Sequence, residues 1–148
     1  AKEIREILLS KEEIEDSTRI YLYLAARSEL IYKQILPALR ARKLVICNRF
    51  SLSTYAYQGL HFSKEDIEML HKLGRLDIVK PDRQIILLSE KSYREKELED
   101  VMGEYCNNFR KEIADRYIEL AREPNTGVVW TDNKTISQVY DEVKRYCF

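Results

Sequence analysis

Residues 43–59 read KLVICNRFSLSTYAYQG, and the fold class turns on them. The first five, Lys43 to Cys47, are rich in β-branched and apolar side chains. A polar residue closes them, the pattern of a buried parallel strand. Residues 51–60 then run as a loop into a helix that stops at Gly59. Strand followed by helix is the repeat of an α/β chain. Asn48 and Arg49 fall at the carboxyl end of that strand, where open α/β sheets collect their ligands. An arginine there suits a phosphate, because its planar fork is always charged and can bind two oxygens at once.

Working outward, residues 2–9 predict a short helix. Ser10 and Glu13 have the spacing of a capping box, though a short loop fits equally well. Asp16, Ser17 and Thr18 offer caps for a long helix with Ile20, Leu24, Ile31 and Ile35 at helical spacing. Pro37 must end or kink it near Leu36, and 38–42 can add one further turn. Ser63 to Asp66 opens another helix, with Ile67, Leu70 and Leu73 on one face and Gly74 at its end. Pro81-Asp82 makes a turn, and Gln84 to Leu88 is a second buried strand. Residues 90–97 are charged and are expected to be exposed. A second long helix is expected from Glu97 to Arg122, with Leu98, Val101, Met102, Tyr105, Phe109, Ile113, Tyr117 and Leu120 as its stripe. After a break at 124–127, Val128 to Thr131 is a third strand. Thr135 and Gln138 cap a last helix whose inner face is Ile136, Val139, Tyr140, Val143 and Cys147. Helices alternating with three short strands predict an α/β fold with a parallel sheet.

Composition narrows the function. The 148 residues suit one domain, and 25 basic against 25 acidic side chains give no net charge. No whole-chain field draws in a nucleic acid, and no apolar run is long enough for a membrane. Three widely spaced cysteines, Cys47, Cys106 and Cys147, form neither a disulfide framework nor a metal motif. His61 and His71 have no ligand pattern and are expected to be surface or structural, so no metal site is expected. The four glycines are too scattered to build a phosphate-cradling loop.

Three segments go beyond a generic α/β chain: Tyr23-Leu-Ala-Ala-Arg27, the RFSLSTYAYQG stretch from Arg49 to Gly59, and Lys80-Pro-Asp82 before the strand IILL. In order and spacing they resemble the thymidylate kinase family, which phosphorylates dTMP with ATP. That family carries DR[YFH] at a strand end, then S-x-x-AYQG, an arginine in the preceding helix and a KPD turn. Tyr117 to Ala121 and Thr131-Asp132 with the helix after them also look like its C-terminal third. The resemblance implies a three-layer helix/parallel sheet/helix fold of the nucleoside-monophosphate-kinase kind and a cytoplasmic enzyme giving dTDP. It implies that Arg27 and Arg49 contact the dTMP phosphate or base region and that Tyr23 and Tyr57 sandwich the thymine. Phe50 and Ser53 line the same pocket, while Thr54 and Gln58 read the base edge or support that contact. Read without the family, the arginines pair with acidic neighbours and the tyrosines are amphipathic core.

The chain departs from that family in three places. It contains no GxxxxGK[ST] loop and is expected to begin just after the turn that follows it, so the chain from Ala1 is expected either to have lost its Met or to be a piece of something longer. Mg²⁺ and ATP are expected from the family, but their binding residues are not in these 148 residues. Asn48 stands where the family has Asp, which keeps the shape and loses the charge. The lid is short, spanning 89–97, and Arg94 is the arginine in it that could assist catalysis alongside Arg49. The expectation is one thymidylate-kinase-like domain over 1–148, missing the first strands. The family's strand before the loop lies mid-sheet, so 43–47 would face buried, unpaired backbone groups. Either the protein is longer, or a second chain completes the sheet as a homodimer or other partner, or 43–47 pairs directly with 84–88. The expected function is phosphoryl transfer from ATP to dTMP. The alternative is an inactive relative that binds nucleotide or serves as a structural subunit.

Overall fold

The computed structural model describes residues 2–8, 10, 14–89 and 109–147. They form two compact units, residues 1–80 and 81–148. The described part is mostly helical, with one two-stranded parallel sheet.

The first unit opens with α1, Lys2–Leu8, as expected. The Ser10 hydroxyl donates to the Ile7 carbonyl at 2.8 Å and closes α1. Glu13 lies outside the described residues. Helix α2 runs Asp16–Leu30, so the three expected caps sit inside its first turn, where Asp16 suits the helix dipole. The chain then widens into a π-helical stretch, Ile31–Ile35, and tightens again as α3, Leu36–Arg40. Pro37 explains the widening. It lacks an N–H and its ring would collide with the carbonyl four residues back, so a wider turn absorbs it. Ile20, Leu24, Ile31 and Ile35 are all buried, joined in one core by Ile67 and Leu76.

Segment 43–47 overturns its expectation, since Lys43–Cys47 belongs to no strand. It keeps the two-residue alternation: Val45 packs on the core, while Leu44 is 74% and Ile46 88% exposed. A strand is defined by a ladder to a neighbour, and no described residue supplies one. Exposure keeps the backbone hydrated, so the feared burial of unpaired groups does not arise. The direct re-pairing of this segment is not what the structure adopts. A cleft of about 290 Å³ lies between it and the helices, lined by Leu30, Gln34, Ile35, Ala38, Leu44 and Cys47 among others.

Helix α4, Ser51–Tyr57, follows and ends in a 3₁₀ turn over Gln58–Leu60, so the stop near Gly59 stands. Helix α5 is Lys64–Leu73, bounded as expected by Ser63 and Gly74. The Ser63 hydroxyl accepts from the Asp66 amide at 3.1 Å, and the Asp66 carboxylate accepts from the Ser63 amide at 3.2 Å. Its inner face differs in one member. Ile67 is buried, but Leu73 is 75% exposed and His71 takes the inward position. The reason is geometric, because His71 lies four residues after Ile67 and Leu73 lies six after it.

In the second unit, β1 is Gln84–Leu88 as expected, and β2 is Thr126–Trp130, starting two residues and ending one residue earlier than expected. They pair in parallel, with Ile86 opposite Val128 and Leu88 opposite Trp130. Ile86, Leu88 and Val129 are buried while Leu87 is 55% exposed, so β1 buries one face rather than both. Between the strands lies α6, Arg110–Leu120, burying Ile113 and Ala114. The earlier part of the expected long helix, from Glu97, falls outside the described residues. The last helix, α7, is Ile136–Cys147, and Thr135 with Gln138 makes its cap. Its expected inner face is not buried: Ile136 is 91% and Tyr140 61% exposed. Amphipathic spacing shows that a face exists, not that something covers it.

Candidate functional site

The site belongs to the first unit and is built on α2 and on the stretch from 48 to 58. The turn between 43–47 and α4 has an unusual backbone. Arg49 adopts φ 63°, the left-handed region. For a residue with a Cβ that costs ~1–2 kcal/mol, so the surrounding chain must hold it there. The turn presents Asn48 and Arg49 as exposed side chains at the start of α4. The Arg49 guanidinium lies 5.0 Å from the centre of the Tyr57 ring, two helical turns further on.

Arg27 meets the same stretch from α2. Its Nη1 donates to Thr54 Oγ1 at 2.6 Å and its Nη2 to the Phe50 carbonyl at 2.8 Å. It also sits over the Phe50 ring, 5.4 Å from the centroid. Thr54 is almost wholly buried, and its hydroxyl faces Arg27 rather than water. The structure therefore brings Arg27, Phe50 and Thr54 into one cluster, and Arg49 with Tyr57 into another on the same short stretch. Gln58 is buried in the 3₁₀ turn. Tyr23 is half-buried one turn before Arg27 on α2, and Ser53 is half-buried within α4. Arg94 lies outside the described residues.

The sequence-only alternative, arginines paired with acidic neighbours, is not met at Arg27. Its acceptors among the described residues are a hydroxyl, a carbonyl and an imidazole, all neutral. Burial pulls its pKa down to about 10, which still leaves it charged at neutral pH. Among the described residues no carboxylate balances it. A cation enclosed this way is costly unless something brings the matching charge or dipole.

One contributor escaped the sequence reading. His71 is buried, with its Nε2 3.2 Å from Arg27 Nη1 and its ring 5.5 Å from that of Tyr55. Arginine can only donate, so the histidine nitrogen must accept, which fixes a neutral ring protonated at Nδ1. Burial first, and the Arg27 charge second, hold its pKa below the ordinary value. The available signal was its i+4 spacing from Ile67, which marks it as inward-facing.

The donor side of a kinase is not matched here. Among the described residues no three His, Cys, Asp or Glu side chains cluster as a metal site. Asn48 offers no charge, and the sequence has no loop to cradle a triphosphate. The described residues do not fit Mg²⁺ with ATP. No helix among the described residues is long and apolar enough to cross a membrane.

With that geometry in hand, comparison with known proteins is specific. A family model described as thymidylate kinase matches residues 1–143. The thymidylate kinase of Mycoplasmopsis agalactiae is 31% identical over all of this chain and 73% of its own length. That of Psychrobacter sp. is 46% identical over 51% of this chain but only 37% of its own length. The crystal structure of thymidylate kinase from Ehrlichia chaffeensis superposes with a TM-score of 0.79 at 24% identity, covering 99% of this chain and 74% of that one. That likeness speaks for the fold.

Proposed function

The chain belongs to the thymidylate kinase family, and on that premise we propose that its first unit holds dTMP as the phosphoryl acceptor. The observation that carries this is Arg27: an enclosed cation whose hydrogen-bond acceptors are all neutral. Its remaining N–H groups and its charge suit an anionic or strongly polar ligand. Arg49, exposed on its left-handed turn, supplies a second cation. Together they suit a monophosphate and a pyrimidine carbonyl.

Each residue then has a role. Thr54 and the Phe50 carbonyl fix the direction of Arg27. Tyr23 and Tyr57 offer flat surfaces for the thymine, with Ser53 and Gln58 as donors and acceptors for its edge. Stacking on an aromatic is worth ~1–3 kcal/mol per base in single-strand binding. Arg49 already covers one face of Tyr57, so a base stacks on the other face or displaces it. When it leaves the ring, Arg49 can turn to a phosphate.

The complete reaction of this reading is transfer from ATP to dTMP, giving dTDP in the cytoplasm. The described residues supply the acceptor half, and no step is derived for the donor half. The fold of the working enzyme is the three-layer helix/parallel sheet/helix arrangement of nucleoside-monophosphate kinases. In it 1–148 acts as one domain, 89–97 is a shortened lid carrying Arg94, and a homodimer or a partner chain completes the sheet. A second reading, a nucleotide-binding or structural subunit without transfer, is favoured by Asn48 and the unmatched donor side.

Calorimetry with dTMP, and with ATP plus Mg²⁺, separates these when joined to a coupled assay of ADP formation. Binding of dTMP with ADP formed supports the kinase. Binding of dTMP alone supports the nucleotide-binding subunit. Failure to bind dTMP at millimolar concentration refutes the acceptor pocket.

A further inference from the structure

We propose that His71 is the positioning residue of this pocket, holding Arg27 in place through its neutral Nε2 and releasing it when the ring takes up a proton. The proposal rests on the reading of the pocket as a dTMP site, and it adds a pH dependence that the family assignment does not contain.

The geometry is a closed relay. Arg27 Nη1 has two partners, Thr54 Oγ1 from α4 and His71 Nε2 from α5. Nη2 is held by the Phe50 carbonyl. Two separate chain elements, α4 with its entry and α5, therefore fix one planar fork, and among the described residues His71 is its anchor from α5. The ring is itself fixed. It is buried and lies against Tyr55 of α4, and the backbone at Ile67, one turn back on its own helix, favours its charged form. Arginine only donates, so Nε2 is the acceptor that Arg27 requires and the ring proton sits on Nδ1.

The groups facing the ring come from each neighbouring element. Arg27 comes from α2, Tyr55 from α4, and Glu68 from α5 itself. Asp77 comes from the 3₁₀ turn Leu76–Ile78. Around Arg27 itself stand Thr54 and the Phe50 carbonyl, and the Cys47 thiol acts on its charge. Glu68 and Asp77 favour a protonated ring, whereas burial and Arg27 oppose it, with burial the largest influence. A proton on Nε2 does two things together. It removes the acceptor, and it sets a second cation 3.2 Å from the first. Arg27 must then swing away or leave a donor unpaired. A pocket that uses Arg27 to bind a nucleotide loses it below the titration of His71.

The test has two arms. The first needs no nucleotide. Nitrogen-15 NMR of the imidazoles, with His61→Asn used for assignment, reads the tautomer and titration of His71. We expect Nε2 unprotonated at pH 7.5, and a titration midpoint that rises when Arg27→Gln removes the neighbouring charge. The second arm measures dTMP affinity by calorimetry from pH 5 to 8 in the wild type, His71→Gln and His71→Leu. Titration of the dTMP phosphate is common to all three and cancels in the ratio. Relative to His71→Gln, which keeps an uncharged acceptor, the wild type should lose affinity below the His71 midpoint at up to about tenfold per pH unit, the limit for one linked proton. His71→Leu should bind more weakly than His71→Gln at pH 8 by fivefold or more.

Parallel pH profiles of the wild type and His71→Gln, with dTMP bound throughout, overturn the proposal and leave the dTMP reading standing. So does an Nε2-protonated ring at pH 7.5. Absence of dTMP binding at every pH, with the NMR as expected, refutes the dTMP reading and supports the anchoring of Arg27 by His71. Should a variant fail to fold, the wild-type tautomer and titration still decide.

Discussion

Replacing Thr54 by valine should destabilise the first unit through one hydrogen bond. The two side chains have the same shape, and Thr54 is 1% exposed, so the substitution fits without a cavity. What it removes is the hydroxyl that accepts from Arg27 Nη1 at 2.6 Å. Among the described residues that hydroxyl makes no other hydrogen bond, so the loss falls on the guanidinium. A hydrogen bond to a charged group contributes ~1.5–3 kcal/mol, and an enclosed donor left without its acceptor loses its hydration as well. Arg27 keeps the Phe50 carbonyl and the His71 ring, and it is part-exposed, which favours the lower end. We therefore expect about 1.5–2 kcal/mol from urea unfolding, with the slope of the transition unchanged. Thr54→Ser is the control. It keeps the acceptor and deletes one methyl, a loss of about 1 kcal/mol. If Thr54→Val is as stable as the wild type, or more stable than Thr54→Ser, packing rather than hydrogen bonding fixes Thr54. The account of Arg27 then fails.

Other substitutions test other links. Ser63→Ala removes the cap of α5 and should cost about 1 kcal/mol, read as a lowered thermal midpoint, while Ser63→Asp keeps it. A Cβ at Gly127 would lie 2.5 Å from Tyr146 Cδ1, so Gly127→Ala should destabilise the second unit by ~1–3 kcal/mol, and Tyr146→Leu should relieve part of that loss. Stability should also fall in acid through His71. Its folded pKa lies below the ordinary 6.5, so the unfolded chain binds the proton more readily. Stability is then full above about pH 6.5 and declines as pH drops from there to the folded pKa. Urea midpoints at pH 8 and pH 5 should differ more for the wild type than for His71→Asn.

Much was settled locally. The spacing of Ile20, Leu24, Ile31 and Ile35 placed the core side of α2 and its continuation, because a helix repeats faithfully along its own axis. Ser63 and Gly74 bounded α5, since a cap is chosen by its nearest neighbours. The run 84–88 marked β1, and Arg27, Arg49, Thr54 and Tyr57 were named as a pocket from their motif. Tertiary structure decided the rest, and for one physical reason: whether a face is covered depends on residues far away in sequence. Segment 43–47 has the composition of a strand but has no described ladder partner, so Leu44 and Ile46 stand in water. The stripe of α7 is a stripe with Ile136 and Tyr140 exposed. His71, unremarkable in sequence, becomes the anchor of Arg27 because two elements converge on one guanidinium. Sequence by itself determined where most of the helices form and which residues carry charge. Only the packing of those elements decided which charges lie without a counter-ion and which histidine must stay neutral.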